Sequence, residues 1–501
     1  MTNSTGTPLE RLTDNTVQRL PATVARPAYD RHTKGVGIVH LGVGAFHRAH
    51  QAMYTDAALG LEAGDWRIQG VSLRQATVPD QLNPQDGLYC VAVRDGGGQR
   101  LQLIGALAHV ICEPRQPGAT LEALARPATR IISLTVTEKG YCQTNGALDH
   151  HHPDVAHDLA QPQSPSPRSV PGLLVAALER RRRGGTPPPT VLCCDNLLHN
   201  GDTLGQLVVA FAAAKDAGLA RWIQDQVPFP NAMVDRIVPA TTEADRQQLA
   251  REIGLEDQGL VCCEPFGQWV IEDRFATGRP PWERVGVQLV ADVAPFELMK
   301  LRLLNGSHSA IAYLGYLAGF ATIAEAVAHP HLGVFVERLM AEDITPAVPP
   351  PPGVHLADYR RALMARFANP ALGHRTWQVA MDGSQKIPQR WTAVLRHAIA
   401  HGRPLDRLAL ALAAWIRYVS GVDEAGRVID VRDPLADSLA AAAAGGAAQP
   451  EATARRFLQL EAVFDPDLAR CEPLVQVVAR GLTDLYHLGA RGALQRLAAH
   501  P

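Results

Sequence analysis

The sequence predicts an α/β protein in two parts: an N-terminal domain built on a mainly parallel sheet (residues 1–285), then a mostly α-helical C-terminal domain (residues 286–501). Three observations carry that expectation. At 501 residues the chain exceeds what a single hydrophobic core supports. Short β-branched runs alternate with longer helical stretches through the first half, the pattern of βαβ units and a parallel sheet. From about residue 290 onward, helical periodicity and alanine-rich segments take over and strand signals nearly vanish.

Element by element, "GVGIVHLGVG" (35–44), "DWRIQGVSL" (65–73) and "TRIISLTVTE" (129–138) read as buried strands, and "TVLCCDNL" (190–197) and "AMVDRIVP" (232–239) continue the series. Proline and serine in "AQPQSPSPRSVPG" (160–172) and "GGTPPPT" (184–190) mark loops between these units. The boundary near 285 falls at "GRPPWERVGVQ". Beyond it, "LRHAIAHGRPLDRLALALAAWIRYV" (395–419) shows helical periodicity, and "PAVPPPPGV" (346–354) is a stiff surface connection. The low-complexity run "LAAAAAGGAAQPEAT" (439–453) reads as a frayed surface helix.

Composition excludes several classes of function. A formal net charge of −2 offers no electrostatic reason to bind nucleic acid or an anionic membrane. The run "ERRRRGG" (179–185) reads as a solvated helix end with cations near the negative dipole pole. "MTNSTGTPLERLTDN" has no apolar signal core, and no stretch is apolar for the 18 or so residues a membrane helix needs, so the expected location is cytoplasmic. The eight cysteines form no C-x-x-C pair and several lie in apolar runs such as "TVLCCDNL" and "GLVCCEPF", so all read as reduced packing residues; no metal is expected.

Gly42 and Gly44 in "IVHLGVGAFHRAH" (38–50) follow the first strong strand and precede a helical stretch, the position at which a Rossmann-type unit brings backbone against a pyrophosphate. The third glycine of G-x-G-x-x-G is replaced by His47. The end of the next strand, where an acid would meet the adenosine ribose, offers Arg74, Gln75, Ala76 and Thr77. NAD is therefore the expected cofactor with NADP not excluded, since an arginine there tolerates a 2′-phosphate.

"ELMKLRLLNGSHSAIAYLGYLAG" (297–319) is an apolar helix carrying Lys300, Asn305 and His308. On an α-helix Asn305 lies about 140° and His308 about 80° from Lys300, so the three border one cleft, with Glu297 one turn earlier. A snorkelling lysine and a satisfied core histidine would explain each singly, but not all three together. Metal-free alcohol–ketone interconversion needs such a set. A lysine partly withdrawn from water serves as general base, an asparagine amide donates to the developing alkoxide, and a histidine fixes the substrate.

The motifs resemble those of the mannitol dehydrogenase family, the polyol-specific long-chain dehydrogenases. The resemblance runs from "HLGVGAFHRAHQAMYTD" (40–56) through "SLTVTEKGYC" (133–142), "CDNLLHNG" (194–201), "FPNAMVDRIVP" (229–239), "CEPFGQWVIED" (263–273) and "KLRLLNGSHS" (300–309) to "DGSQKIPQR" (382–390). It implies a Rossmann-type domain, a helical domain and metal-independent chemistry, usually with NAD. The family's catalytic lysine then falls on Lys300 and its oxyanion-hole asparagines on Asn196 and Asn305. The histidine of the pattern is His308, and an aspartate tied to proton exchange with solvent is Asp235. Glu297 and Lys386 stand at the substrate pocket, and Phe46 follows the glycine turn towards the adenine side. Two positions depart from the pattern: the acidic pair that selects NAD in mannitol 2-dehydrogenases is Ala76 and Thr77, and an arginine near the pocket lysine is Gln378.

"GHRTWQVAMDGSQKIPQRW" (373–391) and "MKLRLLNGSHSAIAYLGYLAG" (299–319) are more similar to the fructuronate reductase branch. The implied reaction is reduction of D-fructuronate to D-mannonate, with Arg375 and Arg302 as candidates to read the sugar acid's carboxylate. The alternatives are a mannitol or arabinitol dehydrogenase acting on neutral polyols, and a dinucleotide-binding protein without catalysis. The expected partner is a small sugar acid or polyol.

Overall fold

The computed structural model describes residues 9–144 and 146–499; the first eight residues of "MTNSTGTPLERLTDN" lie outside them. The chain divides into two compact units at Ala294/Pro295.

Five strands make the central sheet of the first unit: β1 (Val36–Leu41), β2 (Arg67–Ser72), β3 (Leu107–Cys112), β4 (Ile131–Leu134) and β5 (Thr190–Cys193). They pair in the order β5-β4-β1-β2-β3, every pair parallel. Alternation along each strand feeds two apolar layers. Val39, Leu41, Ile132, Leu134 and Val191 enter one, against the helices Val170–Arg183 and Asn200–Lys215; Ile38, Ile68, Ile131 and Leu192 enter the other. Burial on both faces is why these strands read as continuous apolar runs. Strand order reverses beside β1, so the ends of β1 and β4 flank the crevice where doubly wound sheets bind ligands.

Two smaller sheets complete the unit. Tyr89–Asp95 and Gly98–Ile104 form an antiparallel hairpin closed by Gly96 and Gly97, extended by Val24–Ala25 and Val261–Cys263. "AMVDRIVP", expected in the parallel series, belongs instead to a three-stranded sheet: Ala232–Asp235 runs antiparallel to Gln268–Glu272, which pairs with Gln288–Val290. Asn231 fixes that arrangement, its backbone N–H donating to Glu272 at 3.0 Å. The pairing at 288–290 keeps the chain in the first unit until Ala294.

The second unit is helical, and its described residues contain only isolated β-bridges. Its centre is the helix Asp406–Val419, buried at every position from Leu408 on, which packs along Glu472–Ala499. The segment read as one α-helix from 297 is three pieces: α-helix Ala294–Met299, a π-helical stretch Lys300–Gly306, and α-helix Ser307–Leu317. A second π-helical stretch, Pro388–Thr392, lies against the first. "LAAAAAGGAAQPEAT" is a surface helix in part only, since Leu439, Ala442 and Ala443 are buried. Seven of the eight cysteines are buried and none is in a disulfide. Among the described residues no helix is long and apolar enough to cross a membrane.

Candidate active site

In the first unit the glycine turn is forced by the closeness of two strand ends. Gly42 has φ +94°, and a Cβ there would sit 2.2 Å from the Thr135 carbonyl oxygen. His40 pins the same turn: its Nδ1 meets Ser133 Oγ at 2.8 Å, and its Nε2 meets the Gly42 carbonyl at 3.1 Å and Thr135 Oγ1 at 3.0 Å. Burial pushes this imidazole down to about 3, so it stays neutral. Gly44 differs from Gly42. A Cβ there would meet no atom closer than 4.0 Å, so no clash with the protein requires a glycine. Phe46 turns onto His50, ring centroids 5.0 Å apart.

A cleft of about 370 Å³ opens at the switch point, lined among others by Gly42, Ser72, Arg74, Thr135, Thr137 and Arg168. Arg74 is exposed and pairs with Asp154 at 3.2 Å. The far wall is held by Asp195, which sequence reasoning passed over although it adjoins Asn196. Its half-buried carboxylate accepts the backbone N–H groups of Val136 and Thr137, both at 3.0 Å, and the Tyr141 hydroxyl at 2.6 Å. Asn196 is exposed on the loop after β5, and Asn200 anchors that loop by donating to the carbonyls of Asp195 and Ala232. Asp235 is buried at the end of its strand. A glycine-floored crevice at the carboxyl ends of parallel strands, where strand order reverses, fits a dinucleotide.

The second unit gathers the other candidates. Lys300 opens the π-helical stretch and is 8% exposed; Glu297 is buried one turn earlier. In a π-helix the backbone closes i→i+5, which draws Asn305 into the row of Lys300 and narrows the 140° of an α-helix. Side chains of the second π-helical stretch hold this irregular backbone. Arg390 donates to the Asn305 carbonyl at 3.0 Å and to Ser309 Oγ at 2.6 Å, and Trp391 Nε1 donates to the Gly306 carbonyl at 3.1 Å. Lys386 donates to the carbonyls of Val379 (3.3 Å) and Met381 (2.5 Å). Its helix approaches the core closely at Gly383, where a Cβ would lie 2.5 Å from Tyr313 Oη and Trp415 Nε1.

His308 stacks on Phe367 at 5.3 Å and meets His374 edge to face at 5.0 Å. Burial first, then the neighbouring His374 ring and the charges of Arg390, Arg366 and Lys386, push its imidazole well below the ordinary value. Burial and Lys386 push His374 down to about 4. Arg302 lies away from this cluster: it donates to the Ala347 carbonyl, and its charge weighs on His397. Arg375 is exposed at the start of helix Thr376–Ala380. The sequence offered no periodicity that marks His374, Arg366 or Arg390. Among the described residues no group of three or more His, Cys, Asp or Glu side chains is arranged to hold a metal ion.

A Rossmann-type unit followed by a helical unit that carries a buried lysine fits a two-domain oxidoreductase. The chain belongs to the mannitol dehydrogenase family: residues 36–284 match the mannitol dehydrogenase Rossmann domain and residues 292–486 the mannitol dehydrogenase C-terminal domain. It is 45% identical to the uncharacterized oxidoreductase YeiQ of Escherichia coli, over 95% of this chain and 97% of that one. It is 44% identical to the D-mannonate oxidoreductase of the same organism, over 95% and 98%. The structure of Pseudomonas fluorescens mannitol 2-dehydrogenase in ternary complex with NAD and D-mannitol superposes with a TM-score of 0.90, at 40% identity, covering 98% of this chain and all of that one.

Proposed function

We propose that the protein is an NAD(P)-dependent, metal-independent enzyme that reduces D-fructuronate to D-mannonate. The observation that carries the reading is the second unit's buried lysine, set on a π-helical stretch whose backbone Arg390 and Trp391 hold. The likeness to D-mannonate oxidoreductase over nearly the whole of both chains supports the choice of a sugar acid. NAD is supported by the cleft at the switch point and by the NAD complex of the Pseudomonas enzyme.

When bound, the reduced dinucleotide supplies the hydride. Lys300 Nζ gives a proton to the substrate's ketone oxygen as the carbon is reduced, and takes it back in the oxidative direction. The Asn305 amide donates to the same oxygen as negative charge builds there, and the π-helical backbone clamped by Arg390 holds it in place. His308, Glu297 and Lys386 orient the substrate.

A neutral polyol is the second reading, favoured by the likeness to the D-mannitol complex. Steady-state kinetics with D-fructuronate, tagaturonate, D-fructose and xylulose, each with NADH and NADPH, separate the two. The highest kcat/KM is expected for D-fructuronate with NADH; a preference for fructose or xylulose would replace the sugar acid by a neutral ketose.

A further inference from the structure

Next to Arg375 stands a residue that composition and spacing did not mark. The ring of His374 meets His308 edge to face, and His374 Nδ1 and His308 Nε2 are both buried with no hydrogen-bond partner among the described residues. Buried polar nitrogens are ordinarily satisfied, and two such orphans on adjoining rings await a polar group from outside the chain. Both rings are neutral at physiological pH, so each has one N–H and one lone pair, and the tautomer follows whatever the nitrogen meets.

The surrounding charges decide what that group is. Arg390, Arg366 and Lys386 weigh on His308, and Lys386 on His374, so both rings sit in a positive potential. Two of these cations are held on fixed backbone, Lys386 by the carbonyls of Val379 and Met381 and Arg390 by that of Asn305. A hydroxyl would gain from an imidazole N–H alone, whereas an anion gains from the N–H and from the potential. Arg302, engaged at Ala347, is spent elsewhere.

We propose that His374 and His308, with Lys386 beside them, form the subsite that receives the carboxylate of the sugar acid, an assignment that rests on the sugar-acid reading above. The test is kinetics at saturating NADH for wild type, His374→Leu, His374→Gln and Arg375→Leu, with D-fructuronate and with D-fructose, alongside each variant's Tm. His374→Leu is expected to raise KM for fructuronate about tenfold or more, the scale of one hydrogen bond to a charged group. KM for fructose and kcat should move by less than about twofold, because binding of the anion is what is lost. His374→Gln keeps an N–H and should recover part of the loss; it also stands in should the leucine variant fail to fold. Arg375→Leu should have the smaller effect. An equal rise in KM for both ketoses, no rise at all, or a larger effect at Arg375 would each overturn the subsite while leaving fructuronate as the substrate. A wild-type enzyme that reduces fructose and ignores fructuronate would remove the sugar-acid reading itself, before any variant is made.

Discussion

The cleft of the first unit and the polar cluster of the second are built from different materials. The cleft is shaped largely by backbone, by a glycine with φ +94° and by a 136–137 segment whose N–H groups the Asp195 carboxylate accepts, while the charged side chain Arg74 lies in water. In the second unit the backbone is helical and internally bonded, so chemistry falls to side chains, and these are buried or half-buried. Burying a lysine beside half-buried imidazoles is costly, and Arg390 and Trp391 limit a further cost by satisfying the carbonyls of the π-helical backbone that carries the lysine. The contrast teaches where sensitivity lies: in main-chain geometry in the first unit, and in single side-chain atoms in the second.

The largest effect is expected at Lys300. Removing its amine in Lys300→Ala should lower turnover by about 10²-fold or more, the scale of a lost general acid, with NADH binding unchanged by fluorescence titration. Turnover close to wild type would take Lys300 out of the mechanism, and with it the idea that the second unit works through individual side chains.

A pair of glycine substitutions sharpens the other half of the contrast. Gly42→Ala forces a Cβ to within 2.2 Å of the Thr135 carbonyl at a left-handed φ, so it should lose about 1–3 kcal/mol of stability in chemical denaturation as well as NADH affinity. At Gly44 a Cβ meets nothing within van der Waals distance. Gly44→Ala should therefore keep stability within about 0.5 kcal/mol of wild type and yet weaken NADH, because the space it fills is what a pyrophosphate needs. Unchanged NADH affinity in Gly44→Ala would leave Gly42 as the turn's only requirement, a structural one.

These differences also explain what was legible in the sequence. The βαβ half announced itself because strands buried on both faces are continuous apolar runs, and the glycine turn because few residues tolerate that backbone. "AMVDRIVP" has the same composition as a central strand, and nothing local says that its partner is Gln268–Glu272; the pairing is set by the Asn231–Glu272 contact, far apart in sequence. Lys300, Asn305 and His308 stood out against an apolar helix, but the π-helical stretch that realigns them depends on Arg390 and Trp391 about 85 residues on. "ERRRRGG" is the expected solvated helix end at Arg180, Arg182 and Arg183, but not at its remaining arginine. Arg181 is buried and donates to the carbonyls of Leu124, Arg126 and Pro187, partners that charge patterning cannot supply. Periodicity reports one element's own face; it carries no information about which distant carbonyl a side chain reaches.

The smallest effect is expected at the charged rim of the first unit's cleft. Arg74 lies where an acid would select NAD, but its guanidinium is tethered to Asp154 across an exposed contact of 3.2 Å. Exposed pairs of this kind are worth about 0.2–1 kcal/mol, so Asp154→Asn should release the arginine and lower KM for NADPH by a factor of about two to five, leaving NADH unchanged. The gain should fade in high salt, because charges in water are screened over about a Debye length. Arg74→Ala in the same background should abolish it. If Asp154→Asn alters NADH and NADPH equally, Arg74 does not face the ribose 2′ position, and discrimination between the cofactors must come from the backbone of the cleft, as the rest of that site does.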